Sequence, residues 1–343
     1  MEISADAFGD PLVTRDAPEL PDRFFDRFVF NLHPPADGPT EPSVLLGFGV
    51  HPRKDVADGF VMVTAGGVQR NLRFSTELSA TAGDGAGPVS FAVVEPMATW
   101  RLVVGPNPTG VELDVVWRAT GGAWHGPVHV TQGDVATAAF DHLFQPGRYV
   151  GRLTIDGVET SVDGWWGVRD RSRGVRTMSG GQGLHLWYQA EFEDRAVGFL
   201  LVEGRDHSRL LLEGGVMHAD GGVDPIADVG HDLEFDAQLD LVGGRVEVVT
   251  ASGARYAIDA DARAGGGYMA GAGYGGHHGK VVGRDHVEHD TYTLDGGVTP
   301  KTVDTSLTDR LTRFSWDDRP GIGIFEFALT RSRSYTYAPT PRP

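Results

Sequence analysis

The sequence contains no cysteine. That absence excludes disulfide staples, thiolate nucleophiles, iron–sulfur clusters and cysteine-bound zinc. Long apolar runs are missing as well. No window approaches the roughly 18–20 apolar residues that a bilayer-spanning helix needs. The opening segment MEISADAFGDPLVTRDAPELPDRFFDRF carries acidic residues early and has no apolar stretch of signal-peptide length. A cytoplasmic location is the expectation. Basic residues are in deficit, 30 Lys and Arg against 47 Asp and Glu, for a formal net charge of −17. That charge opposes nucleic acid and anionic membrane surfaces and favours solubility.

Cofactor-binding motifs are equally scarce. No GxGxxG precedes a helix, and there is no Walker motif, GxSxG elbow or HExxH. His51–Pro52–Arg53 follows the glycine-rich GFGV, but no helix that could hold a phosphate comes after it. Neither dinucleotide nor nucleoside triphosphate chemistry is expected, and no cofactor is implied. Helical periodicity is almost absent, the best candidate being one short helix near Pro21–Phe30.

What the sequence does have is glycine and alternation. Its 343 residues suit two domains of about 150–180 residues each. Forty-eight glycines fall between short apolar runs without a collagen-like period, and 40% of the residues are apolar. Thr99–Val104, a PNPTG turn and Gly110–Arg118 read as two alternating strands joined by a tight turn. The same grammar recurs in Gly151–Ile155, Ala196–Val202, Arg209–Glu213, Gly244–Thr250 and Gly321–Leu329. Asp-Gly, Ser-Gly and Gly-Gly pairs supply the positive φ that hairpins require. The expected class is all-β, as barrels or sandwiches. The glycine cluster Ser179–Gly183 reads either as the step between domains 1–182 and 183–343 or as a long hairpin loop.

Three segments concentrate chemistry. Asp163–Arg176, DGWWGVRDRSRGVR, sets four arginines and two aspartates beside two tryptophans and two valines. In an extended strand Trp166, Val168 and Asp170 share one face, and Trp165, Arg169 and Arg171 the other. Charges that begin inside an apolar strand imply partly buried guanidinium–carboxylate pairs. They form either a structural salt-bridge lattice or a poised acid, for which Asp170, flanked by Arg169 and Arg171, is the candidate. In Gly183–Glu191, GLHLWYQAE, alternation separates His185, Trp187 and Gln189 from Leu184, Leu186 and Tyr188. The first set is a reasonable lining for a mostly apolar cavity, although a lone strand histidine is also common in a core or on a surface.

The third segment, Gly273–Asp290, holds four histidines. His277 and His278 are adjacent, so in a strand they diverge rather than grip one ion. They are either pocket residues able to pass a proton near neutral pH or part of a solvated loop. His286, Glu288 and Asp290 alternate onto one face at acceptable ligand spacing, but no familiar metal motif accompanies them, and no metal is assigned. Glu326, inside the apolar run GIGIFEF, is either edge-exposed or paired inside.

At DGWWGVRDRSRGVR and the following HLWY strand the sequence resembles the AttH/CrtC-like superfamily, which includes carotenoid 1,2-hydratases. The family signature, glycine-x-arginine-aspartate-x-serine-tryptophan-glycine-x-arginine, appears as Gly167, Arg169, Asp170, Ser172, Arg173, Gly174 and Arg176. Arg173 stands where the tryptophan is expected. FDHLFQPGRYVGRLTIDG upstream and the late GIGIFEF strand also resemble the group, so the likeness runs from about Trp100 onward. It implies two packed lipocalin-like β-barrels with an apolar pocket near their junction.

It also implies acid–base chemistry on a hydrophobic isoprenoid-like or aromatic small molecule, as a hydratase, dehydratase, isomerase or cyclase. On that reading Asp170 is the acid or base, oriented by Arg169 and Arg171, with His278 as a second proton-handling group. Trp165, Trp166, His185, Trp187, Tyr188 and His277 are the candidate substrate contacts. The alternative is a lipocalin-type carrier that binds such a molecule without changing it. The oligomeric state is not legible.

Overall fold

The computed structural model describes residues 8–10, 12–13, 20–132, 135–176 and 182–340. Residues 177–181, which include Ser179–Gly181 of the expected boundary, lie outside the described residues. The chain forms strands β1 (Phe24–Leu32), β2 (Ser43–His51), β3 (Val56–Ala65), β4 (Val68–Glu77), β5 (Gly85–Ala86), β6 (Val89–Glu95) and β7 (Thr99–Val104). It continues through β8 (Val111–Ala119), β9 (Trp124–Gln132), β10 (Val135–Ile155), β11 (Val158–Ser161), β12 (Trp166–Arg176), β13 (Gln182–Glu191) and β14 (Arg195–Gly204). The last are β15 (Arg209–His218), β16 (Val223–Phe235), β17 (Leu241–Thr250), β18 (Arg255–Tyr268), β19 (His286–Thr293), β20 (Thr308–Trp316) and β21 (Arg319–Leu329).

Strands β1 to β12, joined by β19, make a 13-stranded antiparallel sheet that curls into a half-barrel. Strands β13 to β18 with β20 and β21 close into an eight-stranded barrel. The all-β expectation therefore holds. The helix expected near Pro21–Phe30 does not form: FFDRFVFNL alternates with period two, and β1 is paired on both sides, by β2 and β12. Although it comes from the second half of the chain, β19 returns to pair with β4 at the edge of the first sheet. It covers backbone donors and acceptors that an open edge would expose. Among the described residues no helix is long and apolar enough to cross a membrane.

Both interiors are filled. Phe28, Phe48, Trp100 and Trp117 pack inside the half-barrel, and Tyr188, Phe199, Val246 and Phe325 inside the barrel. A third apolar cluster, including Phe140, Phe144, Trp166, Trp187, Leu200 and Ile324, lies where the outer faces of the two bodies meet. The central strands are therefore buried on both faces, and nearly every residue of β13 and β14 is buried, the apolar run of β14 (RAVGFLLVEG) being the clearest sequence sign of it.

The glycine of the signature has a steric reason. A Cβ on Gly167 would stand 1.9 Å from the carbonyl oxygen of Asn31. The Gly167 carbonyl itself accepts a bond from Trp117 Nε1 at 3.1 Å. Gly167→Ala is expected to lower stability by about 1–3 kcal/mol, the range for forced overpacking. Urea denaturation checks this, and an unchanged midpoint would show that β1 and β12 can separate freely.

Candidate functional site

The site is built where the outer faces of the two bodies meet. Alternation along β12 turns Trp166, Asp170 and Ser172 toward the junction and Arg169 and Arg171 into the half-barrel. Along β13 it turns His185 and Trp187 toward the junction and Tyr188 into the barrel core. Between these faces lies a cavity of about 490 Å³. Phe25, Val29, Leu45, Leu200, Met269 and Ala328 supply its apolar walls. Its polar groups form three clusters.

The first cluster joins the two bodies. His142, on β10, is fully enclosed between Asp170 on β12 and Glu213 on β15. Its Nε2 lies 2.6 Å from Asp170 Oδ2 and its Nδ1 2.5 Å from Glu213 Oε1. Burial alone would lower its proton affinity, but the two carboxylates outweigh burial and hold the imidazole up to about 10. At neutral pH His142 is therefore an imidazolium donating to both neighbours. Trp187 Nε1 donates a further bond to Asp170 Oδ2 at 3.1 Å. Asp170 thus faces the cavity with a cation behind it and an indole beside it.

The second cluster lies on β13, β20 and β21. His185 Nε2 sits 3.0 Å from Glu326 Oε1, and Glu326 is directly opposite Asp309 in the β20–β21 register. The third cluster is on the half-barrel side. Arg27 donates to Asp58 Oδ1 at 2.7 Å, and His278 Nδ1 lies 3.2 Å from the same oxygen. Burial of Asp58 would raise its proton affinity, but Arg27, His278 and His51 outweigh it and hold the carboxyl well below the usual range. Burial, reinforced by Arg27, pushes His278 down to about 4, so it is a neutral imidazole on the cavity wall.

Several expected contacts lie elsewhere. Arg169 and Arg171, expected to orient Asp170, point to the opposite face of β12. Arg171 makes a two-point bond to Asp26, and both guanidiniums donate to the carbonyl of Phe8. Arg169 also lies 4.8 Å from the Trp100 ring centre. Arg173, at the position of the family tryptophan, adds a third guanidinium 3.3 Å from Asp26. The arginine-rich segment is thus divided by strand alternation: Arg169, Arg171 and Arg173 gather around Asp26 and the Phe8 carbonyl, and Asp170 opens onto the cavity.

Trp165 packs in the half-barrel core. Tyr188 stacks on Phe199 inside the barrel, with ring centres 4.7 Å apart. Trp166 belongs to the junction cluster but lies beneath Arg148, 3.9 Å from its ring centre, and that arginine pairs with Glu191 at 3.1 Å. His277 lines a neighbouring, more open cleft and approaches the Phe74 carbonyl at 3.4 Å. Beside that cleft Arg73 lies 3.5 Å from Glu288 and 2.8 Å from Asp290, and Glu288 meets His286. Those three acidic and imidazole groups are engaged with one another and with an arginine. No group of three or more ligand residues placed to hold a metal occurs among the described residues.

Sequence reasoning overlooked His142, Glu213 and Asp309. A signal existed for the first: Phe140, His142 and Phe144 alternate onto one face of β10, an apolar stripe interrupted by one titratable group. Glu213 and Asp309 had none, because each becomes significant only through a group on another strand.

Two antiparallel β-bodies, a curled half-barrel and a closed eight-stranded barrel joined by their outer faces, define a lipocalin-like all-β fold. The chain belongs to the Family of unknown function (DUF8625), whose model matches residues 14–337. No curated protein sequence matches it. Among solved structures it is similar to an AttH candidate from Nitrosomonas europaea, with 13% identity, a TM-score of 0.60 and coverage of 93% of this chain and 99% of that one. It also matches CghA in complex with Sch210972, with 12% identity, TM-score 0.47 and coverage of 91% and 90%. Kievitone hydratase from Nectria haematococca matches with 10% identity, TM-score 0.46 and coverage of 93% and 94%.

Proposed function

We propose that this protein is a cofactor-independent acid–base enzyme acting on a hydrophobic, isoprenoid-like or aromatic small molecule held in the junction cavity. The reaction class is hydration, dehydration, isomerisation or cyclisation. One observation carries the reading: Asp170, backed by the His142 imidazolium, opens into a largely apolar cavity of about 490 Å³. Cavities of a few hundred Å³ with sparse, convergent polar groups suit small-molecule ligands.

Leu45, Leu200 and Met269 offer surface to a hydrocarbon, and the Phe25 and Trp187 rings can shelter a developing cation. Asp170 exchanges the proton with the ligand. His142 and Glu213 position it, while the neutral His278 imidazole and, from the barrel wall, the His185 ring present polar atoms. Arg169 and Arg171 hold β12 from behind.

The test begins with organic extraction of the purified protein and identification of the co-purifying compound by mass spectrometry. Returned to the protein in D2O, that compound should gain carbon-bound deuterium, because acid–base chemistry at an alkene or an activated C–H exchanges protons with solvent. Binding without incorporation would replace the enzyme reading with that of a carrier. Ala328→Trp, which fills one wall, is expected to abolish both binding and exchange while leaving the unfolding midpoint near that of the wild type. Retained binding in that variant would place the ligand outside this cavity.

A further inference from the structure

Asp309 and Glu326 of the second polar cluster have no role in the chemistry assigned to Asp170, and two facing carboxyls are unusual on a cavity wall. Asp309 is 2% exposed. It stands directly across from Glu326 in the β20–β21 register, and both side chains line the cavity. The adjacent cation on its own strand is turned away: Arg310 is held by Asp240 and by the Tyr268 hydroxyl. His185, on β13, meets Glu326 and not Asp309. One carboxyl oxygen of Asp309, Oδ1, is buried without a hydrogen-bond partner. Two carboxyls directly opposite one another, one of them fully buried with an unpartnered oxygen, repel strongly when both are charged, so that a proton held between them is favoured.

From this geometry we infer that Asp309 and Glu326 hold one proton between them and that Asp309 delivers it to a carbon atom of the ligand. The inference deepens the acid–base reading above and rests on it. It makes the cavity two-sided, with a proton donor on the barrel wall and Asp170 on the half-barrel wall.

The directions agree with the geometry. Burial, then the neighbouring Glu326, push the Asp309 carboxyl well above the usual range, and Arg310 opposes them only weakly. In the reaction the Asp309 O–H bond breaks and a C–H bond forms from the π electrons of a ligand double bond. The neighbouring carbon becomes cationic. That cation either loses a proton to Asp170, which moves the double bond, or accepts water whose proton passes to Asp170, which completes hydration. Both outcomes are redox-neutral, and proton exchange with solvent restores the pair. Among the described residues, the charged and titratable groups lining the cavity with the pair are His185 from β13 and, on the other walls, His142, Asp170, Arg27, His51, Tyr274 and His278.

The pair can be tested without the natural ligand. Diphenyldiazomethane is apolar and takes a proton on carbon from a neutral carboxyl; dinitrogen leaves and the carboxylate closes an ester. At pH 7 the full-length protein should acquire one ester, mapped by peptide mass spectrometry to Asp309 or Glu326. Asp309→Asn should lose that ester. In a Glu191→Gln background, which removes the other carboxyl that burial pushes up to about 7, the infrared band of a protonated carboxyl should likewise be present at pH 7, disappear on adding Asp309→Asn, and on adding Glu326→Gln vanish at a lower pH than in that background.

An ester elsewhere, or identical infrared spectra for that background with and without Asp309→Asn, overturns the inference. The two readings fail separately. Deuterium exchange into the extracted compound without an ester at the pair removes Asp309 as donor and keeps the enzyme. An ester at the pair without exchange keeps the donor and removes the proposed reaction of that compound.

Discussion

Asp170→Asn is expected to lower turnover of the extracted compound by roughly two to four orders of magnitude, the usual scale for a positioned acid or base, while leaving its affinity unchanged. The asparagine keeps the shape of the wall and can still accept the bond from Trp187 Nε1. It cannot take up and return a proton. The measurement is the rate of deuterium incorporation at saturating ligand, set beside a dissociation constant from fluorescence titration of Trp187. A fall in rate of less than tenfold would assign the proton to another group. A matching loss of affinity would make Asp170 a binding residue rather than a catalytic one. A third readout separates a chemical role from a merely structural one. Because Asp170 is the first of the two carboxylates that hold His142 protonated, its neutralisation should bring the imidazole titration down from about 10, visible in the ring resonances.

His142→Phe is expected to destabilise the protein by about 3–5 kcal/mol, the scale for breaking a buried ion pair by removing one partner. Phenylalanine suits the apolar side of the site, since His142 lies between Phe140 and Phe144, with ring centres 5.6 and 4.4 Å away. What it cannot do is compensate Asp170 and Glu213, which are left buried against each other across the junction. The pH dependence has a definite sign. His142 is raised in the folded protein from 6.5 to about 10, so its contribution is complete below pH 6.5 and is lost as pH rises through about 10. Urea denaturation should show a large gap between wild type and variant at pH 6 and a smaller one near pH 10. A loss below about 1 kcal/mol at pH 6, the scale of an exposed pair, would mean that water reaches these carboxylates.

Much of the fold was legible because strand alternation is a local property. Asp163–Arg176 separates its residues by face as period two requires, and β13 divides His185 and Trp187 from Tyr188 in the same way. The short helix near Pro21 was misread because FFDRF offers too few residues to distinguish period two from period 3.6 until its neighbours are known. Arg169 and Arg171 illustrate a different limit. Adjacency in sequence suggested that they act on Asp170, yet adjacent residues in a strand face opposite sides, and the side decides which charges meet.

From the sequence alone came the absence of thiol chemistry, the all-β class, the glycine-punctuated hairpins and the faces on which Asp170, His185 and Trp187 lie. These follow from composition and from a backbone that places alternate side chains on alternate sides. The family resemblance already implied a pocket near the junction; only the tertiary structure decided that the barrel interiors are packed and that this pocket is walled by the outer faces of the two bodies. It alone brought residue 142 to residues 170 and 213, set 309 beside 326, and turned Arg171 inward to Asp26. Periodicity determines which way a side chain points, whereas its partner depends on how two curved sheets dock. That docking is set by the summed packing of residues distant in the chain, of which no single segment carries a trace.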